Sequence, residues 1–112
     1  MLQRDLLYLG QMLDVSLQAI SKVKGKDRKD FDEDENLRLA LTHLIQMIGE
    51  AARRLSEETK QNHPLIPWPN IIGMRNKVVH DYMEIDFDVV WSVVTLDLPV
   101  LVGLLKPIVP PE

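Results

Sequence analysis

Apolar residues recur near the start of the chain at alternating spacings of four and three: Leu2, Leu6, Leu9, Leu13, Ile20 and Val23, with Ser16 as the one interruption. That period puts them on one face of an α-helix and predicts a first helix of about six turns. A second stripe, Leu37, Leu41, Leu44, Ile48, Ala51 and Leu55, repeats the spacing and brings Gly49, Ala51 and Ala52 together near its end. Small side chains at that point let a neighbouring helix come close. Between the stripes, Lys22, Lys24, Lys26, Arg28 and Lys29 give way to Asp30, Asp32, Glu33, Asp34 and Glu35, with Gly25 among the bases. A basic end followed by an acidic start matches the dipoles of two successive helices, which predicts a hairpin between antiparallel helices. A basic loop that touches RNA is the other reading of the same charges.

Ser56 followed by Glu57 and Glu58 reads as an N-cap with acids in the first turn of a short helix that stops before Pro64. Pro64, Pro67 and Pro69 make residues 63–70 a rigid connector, since three missing amides are incompatible with a regular helix or central strand. Residues 71–82 fit about three turns of helix, with Gly73 as a weak point. Asp86 resembles an N-cap for a last helix whose core stripe is Phe87, Val90, Val94, Leu98, Leu101 and Leu105. Val89, Trp91, Val93, Val100 and Leu104 make that helix apolar on other sides, so it needs two neighbours, and Pro99 predicts a kink. The pattern is all-α: a bundle of four long helices with one short extra helix, in a single domain over residues 1–112.

Composition narrows the function. A chain of 112 residues with 46% hydrophobic and 27% charged positions has the balance of a soluble single-domain globule. The most apolar stretch, 89–109, is broken by Asp97, Pro99 and Lys106 and reads as buried in protein, so no membrane partner is expected. Residues 1–5 mix acid and base and do not resemble a secretion signal; with no cysteine in the chain, a cytoplasmic protein is expected. The net charge of −4 argues against general nucleic-acid affinity, so any such contact has to be local.

The search for chemistry eliminates several classes. His43, His63 and His80 lack the spacing of a helical zinc site, and no metal or other cofactor is expected. Neither a glycine-rich phosphate loop nor a glycine-framed serine is present. What remains is the polar run Arg75, Asn76, His80, Asp81 and Tyr82. On a continuous helix Arg75, Val79 and Tyr82 share one face, while Asn76 and His80 share the next. Arg75 and His80 would then stand about 140° apart, so one helix alone does not aim both at one atom. A two-fold dimer would bring two arginines and two histidines into one cleft.

In that cleft Arg75 can hold a phosphate bidentately and stabilise developing charge, while His80 moves a proton near neutral pH. The pair suffices for metal-free cleavage of RNA, whose 2′-hydroxyl lies beside the scissile phosphate. The same residues also fit a plain structural reading, in which Arg75 pairs with a surface acid, His80 caps or packs, and Tyr82 turns its hydroxyl outward.

Arg75-x4-His80-x-Tyr82 resembles the Arg-x4-His-x-Tyr signature of the HepT-like branch of the HEPN superfamily. Around it, Ile48-Gly49-Glu50-Ala51-Ala52 followed by Leu55-Ser56 are similar to that family in type and order. So are His63-Pro64 with Ile66-Pro67-Trp68, Gly73-Met74-Arg75-Asn76, and Ile85-Asp86 before Trp91. The likeness runs over roughly residues 4–106. It implies a HEPN-like four-helix toxin of a toxin–antitoxin pair, a homodimer that cleaves RNA without metal through Arg75 and His80, with Asn76 at the polar position beside the arginine. It further implies an antitoxin that is a minimal, MntA-like nucleotidyltransferase and that transfers AMP from ATP to Tyr82. On an acidic chain the RNA would use a local basic surface of Arg75, Lys77, Arg53 and Arg54. Glu50 either orients a base or finishes its helical stripe. The rival function is a non-catalytic helical dimer that binds and regulates a nucleotidyltransferase.

Overall fold

The computed structural model describes residues 2–80 and 84–111, with His80 described through its backbone. Its elements are α1 (Gln3–Val23), α2 (Arg28–Glu33), α3 (Glu35–Arg53), α4 (Glu57–Asn62), α5 (Trp68–Ile72) and α6 (Met74–Val78), then two-residue strands β1 (Val79–His80) and β2 (Glu84–Ile85). They are followed by α7 (Phe87–Ser92), a π-helical turn (Val93–Asp97) and α8 (Leu98–Leu105). The all-α architecture read from the periodicity, HEPN-like by the resemblance, is the one observed. Helix α3 is central and packs against α1, α2, α5, α6 and α7, while α1 also carries α8 and the π-helical turn.

Burial follows the stripes with one rotation. In α1 the buried positions are Asp5, Leu9, Met12, Ser16 and Ala19, spaced four and three as expected but centred one residue off the leucine stripe. Two polar side chains therefore sit inside. The second stripe is buried throughout, Leu37, Leu41, Leu44, Ile48, Ala51 and Leu55 all facing the core. In the last segment Val90, Val94, Leu98, Leu101 and Leu105 are buried as predicted, and Val93 and Val102 supply a second buried face. Phe87–Leu105 is long and apolar enough to cross a membrane by length and composition, and here its buried side chains pack on α1 and α3.

Three local expectations are corrected. The charged hairpin contains a helix of its own: after Gly25, at φ 75°, Asp27 and Asp30 form a reciprocal capping box that starts α2, so those acids do not open α3. Asp34 caps α3 instead, accepting from the Leu37 amide at 3.0 Å. The connector ends early, because Trp68 already begins α5 and Pro69 falls in the first turn, where a missing amide removes nothing. Residues 71–82 do not form one helix. It breaks at Gly73, resumes as α6, and ends at Val78, with Val79 extended (φ −108°, ψ 107°). At Pro99, as expected, the chain stays helical, and the preceding turn widens, the Leu98 amide donating to the Val93 carbonyl five residues back.

Candidate active site

The site is built on α6. Met74 and Val78, four apart, turn into the core and leave Arg75, Asn76 and Lys77 exposed on the opposite side. Close packing at the start of this element fixes its position. A Cβ at Gly49 of α3 would stand 3.2 Å from the Ile71 carbonyl oxygen and 3.6 Å from that of Ile72, so the end of α5 rests directly on the α3 backbone. The small residues of the second stripe thus do what the sequence assigned to them.

Beyond Val78 the chain is extended, and β1 pairs antiparallel with β2, Val79 opposite Ile85 and His80 opposite Glu84. The Asp86 amide closes the ladder on the Val78 carbonyl at 2.7 Å. β-branched Val78 and Val79 favour this change from helix to strand. The continuous helix on which Arg75 was expected to share a face with Val79, and from which its 140° separation from His80 was read, therefore does not form. They stand on different elements, one on a helix and one on a strand. Asp81 and Tyr82 lie outside the described residues.

The return side of the hairpin is anchored well. Asp86 accepts from the Val89 amide at 3.2 Å and caps α7. Phe31 is fully buried against Phe87 and Trp91, with ring centroids 6.3 and 5.1 Å away, and the Arg38 guanidinium lies 5.2 Å from the Phe87 ring centre. Arg28 reaches from α2 to Asp32 and to Asp88 on α7. Both arms of the β1–β2 ladder thus rise from packed elements.

Beside Arg75, Lys77 lines an open groove of about 370 Å³ between α5–α6 and the π-helical turn with α8. Its floor is Ile71, Met74, Val93 and Leu101, and Asn70 and Asp97 add polar atoms to its walls. Asn70 and Asp97 were not singled out from the sequence, because only the crossing of α5 over the last segment places them beside Lys77. Arg53 and Arg54 sit at the C-terminal end of α3 and are engaged with Glu50. Arg53 donates from Nε at 3.2 Å and from Nη2 at 2.6 Å, and Arg54 donates from Nε at 3.3 Å. The hydrogen bonds from Arg53, joined by those from Arg54, outweigh partial burial and hold the Glu50 carboxyl at about 2. Arg54 is raised above the ordinary arginine value, first by its hydrogen bond with Tyr8 and then by Glu50. The Glu50 pairs were not read from the sequence, which had Glu50 orienting a base or finishing its stripe, although spacings of three and four carry that signal; the Tyr8 contact from α1 has no such local signal.

The family described as ribonuclease HepT-like matches residues 12–108, a span that contains α3, α6, both strands and the last helical segment. The chain belongs to the HepT-like ribonuclease family. A "Putative RNase" of Caldanaerobacter subterraneus subsp. tengcongensis is 32% identical over 94% of this chain and 94% of its own length. Another protein with that name, from Methanocaldococcus jannaschii, is 30% identical over 88% of this chain and 92% of its own. A "Probable ribonuclease HepT" of Thermococcus cleftensis is 36% identical over 67% and 68%. No solved structure matches the chain. As a HepT-like protein, this chain has a ribonuclease-type role supported by its family and its named relatives. Arg75 and His80 stand on either side of the point where α6 gives way to β1.

Proposed function

We propose that this HepT-like chain is the toxin of a toxin–antitoxin pair and acts as a metal-independent endoribonuclease in a homodimer. The observation that carries the reading is the ribonuclease HepT-like match over 12–108, within which Arg75 is exposed on α6 and His80 follows on β1. The guanidinium of Arg75 holds the scissile phosphate, and Asn76 adds a polar contact. One His80 accepts the proton of the 2′-hydroxyl, whose oxygen attacks phosphorus and forms a 2′,3′-cyclic phosphate. The 5′-oxygen leaves with the bonding pair and takes a proton from the His80 of the second copy. Arg75 stabilises the charge that builds on the phosphoryl oxygens. Lys77, Arg53 and Arg54 contact the RNA backbone.

The second copy is needed because each chain brings one histidine of this motif, and the reaction uses one base and one acid. The groove beside Lys77, with Val100 64% and Leu96 66% exposed on the same last segment, is apolar surface that a second copy covers. A nucleotidyltransferase antitoxin silences the toxin by transferring AMP from ATP to the Tyr82 oxygen, with pyrophosphate leaving. The phosphodiester so formed adds a bulky anion two residues beyond His80 in the chain.

The decisive experiment measures cleavage of RNA by purified wild type, Arg75→Ala and His80→Ala, with chelator present and absent. Wild type cleaves in chelator, and each variant loses cleavage and toxicity while keeping its helical circular dichroism. Cleavage that survives in either variant, or that requires a divalent ion, overturns the mechanism. Light scattering at micromolar concentration reads a dimer; a monomer that still cleaves RNA removes the composite site.

A further inference from the structure

Three groups of charged side chains on the described surface are tied by ion pairs, and their stoichiometry differs. Arg28 lies between two acids, Asp32 and Asp88, and Lys60 faces the single acid Glu57. At the end of α3 the ratio is reversed: one carboxylate, Glu50, lies between two guanidiniums, Arg53 and Arg54. The group carries a net positive charge on a chain whose total is −4. It stands at a helix C-terminus, where the backbone dipole favours cations.

The geometry of the group is that of an anion held in a fork. Both Glu50 oxygens are used, Oε2 by Arg53 Nε and Oε1 by Arg53 Nη2 and Arg54 Nε. Each guanidinium offers five N–H donors, so most donors remain after Glu50, and for Arg54 also Tyr8, is satisfied. The group is also open: the side chains of Arg53, Arg54 and Glu50 are 62%, 55% and 43% exposed. Pairs so well hydrated are weak and exchange readily with a competing anion. A phosphodiester offers oxygen acceptors in the same planar, bidentate manner as a carboxylate, and releases condensed counterions when it binds.

We propose that Arg53 and Arg54 form a phosphodiester-binding pair that Glu50 holds in check, its carboxylate standing where a backbone phosphate of the RNA binds. The proposal rests on the ribonuclease reading and adds to it a built-in competitor that sets how tightly the substrate is held. It also gives a physical reason for an acidic ribonuclease: a cationic pair masked by its own helix does not gather polyanions indiscriminately, and it opens only where a phosphate displaces the acid.

The test uses a fluorescent single-stranded RNA with 2′-O-methyl groups, which binds without being cut, and reads affinity by anisotropy across a salt series. Glu50→Gln keeps the shape and removes the charge. It binds at least about threefold tighter than wild type at low salt, with a steeper dependence of log K on log salt by about 0.7 to 1.4, the signature of one or two further phosphate contacts. Glu50→Ala does the same. In an Arg53→Ala/Arg54→Ala background, affinity is below wild type and Glu50→Gln adds nothing. Equal or weaker binding by both Glu50 variants overturns the proposal, and so does a gain that survives loss of both arginines. A gain for polyglutamate without one for RNA overturns the phosphate assignment. Cleavage of unmodified RNA is read in parallel. Cleavage by wild type without any affinity gain in Glu50→Gln sinks the clamp alone, whereas a gain with no cleavage by wild type sinks the nuclease alone.

Discussion

The Ser56 hydroxyl lies 2.6 Å from the Asp5 carboxylate and donates to it, while the same oxygen accepts from the Thr59 amide at 3.2 Å and so caps α4. Thr59 Oγ1 adds a second donor to Asp5 at 2.6 Å, and the Ser56 amide a third at 3.1 Å. Through this knot a fully buried acid near the start of α1 is tied to the turn that follows α3.

Asp5 makes stability depend on pH. Burial raises its pKa, but the hydrogen bonds from Ser56 and Thr59 prevail and the carboxyl lies below the ordinary value. Since the native pKa is below the unfolded one, the unfolded chain binds the proton more readily. The contribution is complete above the unfolded value of about 4 and is lost as pH falls through the lowered native value. Urea titrations across that window show stability of wild type falling with acidity, and a shallower fall for Asp5→Asn. Asp5→Ala strands three donors, one buried and two part-buried, and costs about 2 kcal/mol or more.

Ser16 is the opposite case. Its Oγ is buried without a hydrogen-bond partner among the described residues. Ser16→Ala removes an unsatisfied hydroxyl and adds helix propensity, so it stabilises by about 1 kcal/mol. A lower urea midpoint for the variant would show that the hydroxyl has a partner in solution.

Two helical glycines respond in opposite directions. At Gly10 an added Cβ meets nothing within 4 Å, and Gly10→Ala raises stability by up to about 1 kcal/mol through backbone entropy. At Gly49 the same methyl presses on the Ile71 carbonyl, a backbone atom that moves only with the whole of α5. Gly49→Val therefore costs about 1 to 3 kcal/mol, and because α5 leads directly into α6 it also lowers RNA cleavage. Thermal melts of the two variants, shifted apart in sign, check this.

Tyr82 is expected to be an acceptor of AMP and not a catalyst, since a phenol with a reference pKa of about 10 is a poor proton carrier at neutral pH. Tyr82→Phe keeps most of the cleavage activity and escapes the nucleotidyltransferase. Mass spectrometry after incubation with that enzyme and ATP finds added AMP on wild type alone. An inactive Tyr82→Phe, or one silenced as readily as wild type, refutes the role.

How much could be read without coordinates depended on the range of the interaction. The stripes of α1, α3 and the last segment and the caps at Ser56 and Asp86 are set by neighbours three or four residues away, and the sequence alone determined them. So did the order of motifs that marks the family, because residue types in a row carry that information directly. The end of α6 was different. A helical period runs on through Val79 and His80, yet the segment turns extended because β2, five residues downstream, offers it a ladder, and Phe31 and Trp91 hold that partner strand's helix in place. The one-residue rotation of α1 has the same origin: Asp5 goes inside only because Ser56 and Thr59, more than fifty positions later, satisfy its oxygens. Local periodicity cannot register a partner that distant, and tertiary packing decides which face of a stripe is finally buried.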